Sequence, residues 1–322
     1  MKKILITGVT GFIGSNLAKN LTMRGYEVIG ITKYSSSRDS GALAGYLDGV
    51  KVLTCDITDF HSVYQTIRSV NPDAVIHLAA LSAVHGSFEK PIFYTQTNLI
   101  GTMNIVHSIL DLPDFKSKKL LFASSALVYG IQENKAINEE TPLLPLNPYS
   151  LTKATMDLYL RNINKIYGLK TTSIRFANTY GRTLNNEFFI EHTISSMLKN
   201  EKIYLGNPDT VKDYMYVSDH VNIYINALES DKAGGEAFNA GTGVGVTNKE
   251  IVFKLADIIG YDKGNIILGQ FPPGYPSRPQ AANEPFIILD ITKSKRMLGW
   301  DPRVSLDEGL KMCVKFWKER IK

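Results

Sequence analysis

Along the first half of the chain, short apolar runs alternate with longer stretches whose apolar positions recur at helical spacing. That alternation is the pattern of a parallel sheet whose strands are joined by crossover helices. It predicts strands at Lys3–Thr7, Glu27–Thr32, Val52–Cys55, Ala74–His77, Lys119–Ala123 and Thr171–Phe176. Helices are predicted at Phe12–Arg24, Phe60–Val70, Pro91–Leu110 and Tyr149–Tyr167. In the last of these Leu158, Asn162 and Ile166 recur on one face, and Gly168 marks the C-terminal stop.

The second half is less regular. Helices are expected at Glu187–Lys199, Ser218–Leu228, Asn248–Ile259 and Leu306–Lys318, and short strands at Lys202–Leu205, Tyr214–Val217 and Ala237–Ala240. Turn-rich segments such as 206–209 and 270–274 separate them. No polar linker divides the chain, so the pattern points to one core with a smaller lobe packed on its sheet edge.

Composition narrows the class. The chain has 322 residues, 44% hydrophobic and 21% charged, as in ordinary globular proteins. Its net charge is +5, but no block or stripe of basic residues suggests a nucleic-acid partner. No apolar run approaches the length needed to span a membrane. The opening run Ile4–Ile6 stops at Thr7-Gly8, too short for a secretory leader. Cys55 and Cys313 stand far apart, with neither disulfide nor metal spacing. A reducing cytoplasm and no metal are the expectations.

The first candidate chemistry is Gly8-Val9-Thr10-Gly11-Phe12-Ile13-Gly14, directly after the first strand and opening a helix. Glycines allow a tight turn and close approach to a pyrophosphate, which the free N–H groups of the helix N-terminus then bind. The spacing is GxxGxxG, and the strand and helix around it supply the context that a dinucleotide site needs. At the end of the second strand an acidic residue would bind the adenosine ribose and repel a 2′-phosphate. This chain has Thr32 and Lys33 there, with Arg38 nearby, which favours NADP over NAD. Asp56, after the third strand, suits either the adenine amino group or a helix N-cap.

The second is Tyr149 with Lys153, four residues apart and therefore on one helix face. Oxidising an alcohol requires loss of its proton, and reducing a carbonyl requires gain of one. A phenol titrating near 10 is a poor base at neutral pH, and an adjacent ammonium stabilises its phenolate. Ser125, at the end of the preceding strand, can donate a hydrogen bond to the same sugar oxygen.

Taken together, the chain resembles the extended short-chain dehydrogenase/reductase family that acts on nucleotide sugars. The resemblance rests on Thr7–Gly14, His77-Leu78-Ala79-Ala80, Asn98–Thr102, Ser124–Gly130, Pro148-Tyr149 with Lys153, Arg175–Gly181, Lys212–Asp219 and Leu298–Pro302. It implies an α/β fold, a doubly wound Rossmann sheet with a smaller mixed α/β substrate lobe. Residues 1–176 and about 212–240 would form the dinucleotide-binding part, with about 177–211 and 241–322 forming the lobe. It implies Ser125, Tyr149 and Lys153 as the catalytic trio. Gly8, Thr10, Gly11, Phe12, Ile13, Gly14, Thr32, Lys33, Asp56, Ile57, Leu78, Ala79, Ala80, Tyr149 and Lys153 would hold the cofactor. Ser82, Ser124, Ser125, Asn178, Lys212 and Arg278 would hold a nucleoside-diphosphate sugar. Phe188 or Phe189 is a candidate to stack on the base. The helices around Tyr94–Leu110 and from Tyr149 would form a four-helix homodimer interface.

Two departures refine this. Lys212 stands where many relatives carry arginine, so a point charge replaces a fork. Leu127 stands where the family's 4,6-dehydratases carry an acid, and leucine transfers no proton. The resemblance therefore implies epimerisation, most simply at C4 through a 4-keto intermediate. The alternative is NADPH-dependent reduction of a 4-keto-6-deoxy sugar nucleotide, and dehydration is less well supported. The nucleoside (UDP, GDP, CDP or dTDP) stays open, because base contacts come from irregular loops.

Overall fold

The computed structural model describes residues 2–33, 45–132, 136–183, 185–274 and 286–321. The apolar runs of the first half become β1 (Lys3–Thr7), β2 (Glu27–Thr32), β3 (Lys51–Thr54), β4 (Ala74–His77), β5 (Lys119–Ser125) and β6 (Lys170–Phe176). Between them lie α1 (Phe12–Met23), α2 (Phe60–Val70), α3 (Val84–Glu89), α4 (Pro91–Tyr94), α5 (Gly101–Leu110) and α6 (Pro148–Tyr167). The second half supplies β7 (Asn178–Tyr180), α7 (Phe189–Leu198), β8 (Ile203–Leu205), β9 (Val211–Tyr216), α8 (Val217–Glu229) and β10 (Ala237–Ala240). The chain ends with β11 (Gly245–Thr247), α9 (Asn248–Ile259), β12 (Ile266–Leu268), β13 (Phe286–Ile287), α10 (Thr292–Leu298) and α11 (Leu306–Lys318).

Seven strands form one sheet in the order β10-β6-β5-β4-β1-β2-β3. Every pairing in it is parallel. The order reverses between β1 and β4, which opens a crevice at the carboxyl ends of those strands. Successive residues point to opposite faces. Ile4 and Ile6 therefore join the core under α1 and α8, with Leu17, Leu21, Val221 and Tyr224. Leu5 joins the opposite core under α2, α5 and α6, with Val63, Ile67, Ile105 and Leu160. Burial on both faces explains why these strands read as continuous apolar runs. Among the described residues no helix is long and apolar enough to cross a membrane.

The lobe has its own core, in which Ile190 and Ile194 of α7 meet Ile251 and Leu255 of α9 and Leu310 and Val314 of α11. Beside it β9 pairs with β7, β11 and β13, and β8 with β12. Residues 212–216 thus pair within the small sheet, not with the dinucleotide-binding part to which the sequence reading assigned them. The return to the large sheet begins with α8, whose Val221, Tyr224 and Leu228 pack against it. β7, β11, β12, β13, α3 and α10 have no counterpart in the sequence reading, being too short to carry a period.

The predicted helix Pro91–Leu110 is interrupted by a π-helical turn at Thr95–Ile100. Helix α6 begins one residue before the predicted start. Asn147 caps it by accepting from the Ser150 N–H, while Ser150 Oγ accepts from the Asn147 N–H. Pro148 occupies the first turn, and Gly168 closes the helix in the left-handed conformation.

Behind the C-terminal end of β5 lies a buried ion pair. Arg175 Nε donates to Asp157 Oδ2 at 2.8 Å, and Ser124 Oγ donates to the same oxygen at 2.9 Å. Arg175 Nη1 also reaches the Tyr129 hydroxyl and the Glu139 carbonyl. The pair ties α6 to β5 and β6. Removing one partner would leave the other charge buried and unpaired. Asp157→Ala should cost about 3–5 kcal/mol by urea unfolding. Asp307→Ala, which breaks the exposed Lys254–Asp307 pair, should cost under about 1 kcal/mol.

Candidate active site

The glycine loop closes over the end of β1. Gly8 has φ +67°, and a Cβ there would lie 3.0 Å from the Ala79 backbone. At Gly14 a Cβ would fall 2.2 Å from the Gly8 carbonyl oxygen. The loop therefore needs glycine at both positions, and the start of α1 faces open space. A cavity of about 1340 Å³ begins there, lined by Gly8, Thr10, Gly11, Phe12, Ile13 and Gly14. It continues past Leu78, Ala80 and Ser82 to Ser125, Tyr149 and Lys153, and ends in the lobe near Lys212, Tyr214 and Phe271. Its volume exceeds that of a usual single-ligand pocket and suits two nucleotide-sized molecules side by side.

Tyr149 and Lys153 lie one helical turn apart on the face of α6 toward this cavity. Tyr149 is 8% exposed and Lys153 4%. Lys153 Nζ donates to the Ala123 carbonyl at 2.7 Å and stands 6.0 Å from the Tyr149 ring centroid. Burial pushes the Lys153 ammonium down to about 7, against the opposing charge of Asp157. Ser125 Oγ accepts from the Leu127 N–H at 3.2 Å. That bond uses a lone pair and leaves the hydroxyl proton available to donate. Leu127 lines the cavity beside it.

A buried polar chain supports the site from behind. Thr7 Oγ1 accepts from the N–H groups of both Leu78 and Ala79 and lies 2.7 Å from His77 Nδ1. With its lone pairs taken, the Thr7 hydroxyl donates to Nδ1, so the His77 proton sits on Nε2. Nε2–H then donates to Thr102 Oγ1, which donates to the Asn98 carbonyl. The Asn98 side chain, within the π turn, accepts from Leu81 N–H and donates to the Leu81 carbonyl and Thr152 Oγ1. Thr152 in turn donates to the carbonyl of Tyr149. Burial, then the charge of Lys153, pushes His77 down to about 3, so it stays neutral as this chain requires. Sequence reasoning missed this relay. The Asn98–Thr102 segment was legible, but its connection to Thr7 and Thr152 arises only in three dimensions.

The remaining sequence candidates divide. Thr32 Oγ1 lies 3.2 Å from Thr10 Oγ1, and Lys33 Nζ pairs with Asp56 at 2.9 Å. Burial raises the Asp56 carboxyl, but Thr58's N–H, the Lys33 ammonium and Thr58's hydroxyl outweigh it and leave it below the usual range. Asp59, not Asp56, caps α2. Ile57 turns its side chain into the core against Gly101 and gives its carbonyl to Asn104. Ser124 lines the cavity, and its hydroxyl donates to Asp157 of α6. Asn178 and Lys212 line the cavity, and Asn178 Nδ2 donates to the Asp213 carbonyl. Phe188 and Phe189 line it too. Arg278, like Arg38, lies outside the described residues. Among the described residues no cluster of His, Cys, Asp and Glu is suited to a metal.

Residues 5–313 match the family model described as GDP-mannose 4,6 dehydratase. The chain belongs to the extended short-chain dehydrogenase/reductase family of nucleotide-sugar epimerases and dehydratases. It is 30% identical to a UDP-glucose 4-epimerase of Lactobacillus helveticus, over 99% of this chain and 98% of that one. The structure of a UDP-glucose 4-epimerase of Thermotoga maritima with UDP-glucose is similar at TM-score 0.88 and 31% identity, covering 99% of this chain and 100% of that one. The dTDP-glucose 4,6-dehydratase of Streptomyces venezuelae, solved with NAD, also gives 0.88, at 27% identity over 99% and 97%. Within this family architecture the cavity joins the glycine loop to the tyrosine and lysine of α6.

The buried lysine has a consequence for stability. The unfolded chain holds its lysine proton to about pH 10.4, whereas the folded chain releases that of Lys153 near 7. Between those values the unfolded state binds more protons, so stability rises with pH. The penalty is present in full below pH 7. Thermal scans of the unliganded protein at pH 7, 8 and 9 should show this rise. Lys153→Met should show a flatter profile over the same range.

Proposed function

We propose that this chain is a nucleoside-diphosphate-sugar 4-epimerase working through a 4-keto intermediate with a resident nicotinamide dinucleotide. The observation that carries the reading is the cavity itself, which opens on the glycine loop and is walled by Ser125, Tyr149 and Lys153. Gly14, whose missing Cβ lets α1 pack directly on the Gly8–Val9 backbone, sets the N-terminus of α1 where it suits a pyrophosphate. The backbone from Gly8 to Gly14 would hold that group, with Thr32, Lys33 and Asp56 at the adenosine end. Ile57, Leu78, Ala79 and Ala80 would flank the dinucleotide, and Lys153 would meet the nicotinamide ribose. When bound, the nicotinamide accepts hydride from the sugar carbon and returns it.

This chain's own residues manage the proton. Tyr149 Oη takes the C4 hydroxyl proton as base and later returns it as acid. The Lys153 charge stabilises the phenolate, and Ser125 Oγ donates to the same sugar oxygen. Asn178 and Lys212 hold the diphosphate, with Ser82 near the sugar. Epimerisation then requires the keto sugar to turn within the cavity and present its other face. Leu127 supports epimerisation over dehydration, because the side chain beside Ser125 carries no acid.

The absence of a carboxylate at Thr32-Lys33 favours NADP over NAD. It is also the observation behind a second reading, in which NADPH enters as cosubstrate to reduce a 4-keto-6-deoxy sugar. The solved relative holding NAD pulls the other way. Denaturing the purified protein and identifying the released nucleotide separates these readings. A stoichiometric dinucleotide is expected, whereas an empty site that takes up NADPH reversibly would turn the assignment to the reductase. Tyr149→Phe should lower turnover of a UDP-, GDP-, CDP- or dTDP-hexose by about 10²–10⁴-fold while leaving the dinucleotide bound.

We also infer a homodimer in a reducing cytoplasm, with Cys55 and Cys313 kept as buried thiols. Ile92 and Phe93 of α4, Ile100 of the π turn, and Leu151 and Leu158 of α6 are exposed apolar side chains on the helices beside the site. Such a patch marks an association surface. Leu158→Glu should shift the protein from dimer to monomer in sedimentation velocity.

A further inference from the structure

The cavity contains a cation that none of the foregoing uses. Arg182 follows β7 at the junction between the large sheet and the lobe, and its side chain is 15% exposed. Its guanidinium carbon lies 3.5 Å from the Phe188 ring centroid and 4.6 Å from that of Phe12. Phe12 belongs to the glycine loop, and Phe188 caps α7 of the lobe. A planar cation held between two ring faces keeps its N–H edge for acceptors lying in its own plane. Arg182 Nη1 donates to the Thr179 carbonyl at 2.7 Å. Among the described residues its other N–H groups reach no hydrogen-bond acceptor.

Glu191 of α7 explains how the arginine is held. It is 1% exposed, and its Oε1 accepts from the backbone N–H groups of both Gly181 and Arg182. Its Oε2 has no hydrogen-bond partner and lies 3.8 Å from Arg182 Nη1. That is an ion pair without a hydrogen bond, so Glu191 steers the guanidinium but leaves its donors unspent. The arginine also stands beside the N-terminus of α1, where the helix dipole is already positive. Two positive features facing one cavity are stable together when an anion lies between them.

We infer that Arg182 is a phosphate-binding residue of this cavity, presented to the phosphate oxygens of a bound nucleotide by Phe12, Phe188 and Glu191. The inference rests on the nucleotide-binding reading proposed above. Two sources offer this chemistry, the pyrophosphate of the dinucleotide and the diphosphate of the sugar nucleotide.

Calorimetric titration of the full chain, first freed of its bound dinucleotide, distinguishes them. The probes are NAD⁺ and NADP⁺ against adenosine, and UDP, GDP, CDP and dTDP against the matching nucleosides. Arg182→Gln should weaken one phosphate-bearing class by about tenfold or more while nucleoside affinity stays unchanged. Loss confined to NAD⁺ and NADP⁺ assigns the dinucleotide, and loss confined to a diphosphate assigns the substrate. Arg182→Lys, which keeps the charge and guards against a folding defect, should recover only part of the loss. Unchanged affinities in both variants, or equal losses for phosphates and nucleosides, would overturn the inference while leaving the proposed function standing. A wild-type protein that binds neither dinucleotide nor diphosphate would refute both.

Discussion

An ammonium group sealed beneath the end of a parallel sheet is costly, and much of this structure is arranged around keeping one there. Among the described residues Lys153 Nζ donates to one carbonyl, that of Ala123, and lies over the rings of Phe122 and Tyr149. Water would solvate it far better. What keeps it in place is the attachment of α6 to β5. The Asp157–Arg175 pair and the Ser124 hydroxyl make that attachment one helical turn beyond the lysine. Lys153 and Asp157 are four residues apart and share one face of α6, so the aspartate also favours the ammonium charge.

A second constraint runs across the sheet. The chain of bonds from Thr7 through His77, Thr102, Asn98 and Thr152 joins the end of β1 to the first turn of α6. Every group in it is buried, so each bond avoids the desolvation cost of an unmet donor or acceptor. The π turn at Thr95–Ile100 brings Asn98 to its partners at the cost of regular helix geometry. Such turns recur where function requires a side chain out of helical phase. The glycine loop and Tyr149 are thereby tied to one frame, though more than 130 residues separate them in the chain.

The lobe contributes differently. Its small sheet and its helices α7, α9 and α11 form a separate core. What they present to the cavity is charge and aromatic surface: Lys212, Tyr214, Phe188 and Arg182. Family membership accounts for the scaffold that brings both parts together.

The sequence by itself determined the parallel sheet, the position of the glycine loop and the pairing of Tyr149 with Lys153. Each is a local matter, set by a strand's apolar run, the glycines that a tight turn demands, or the period of one helix. The family resemblance was legible for the same reason, since its motifs are contiguous. Only the tertiary structure decided where side chains of remote segments meet. It turned Ser124 toward Asp157, paired Lys33 with Asp56, and set residues 212–216 in the second sheet. It also placed Arg182 between rings that lie in different parts of the fold. Strands of two or three residues carry no period, and a hydrogen bond between segments a hundred residues apart leaves no trace in the spacing of either.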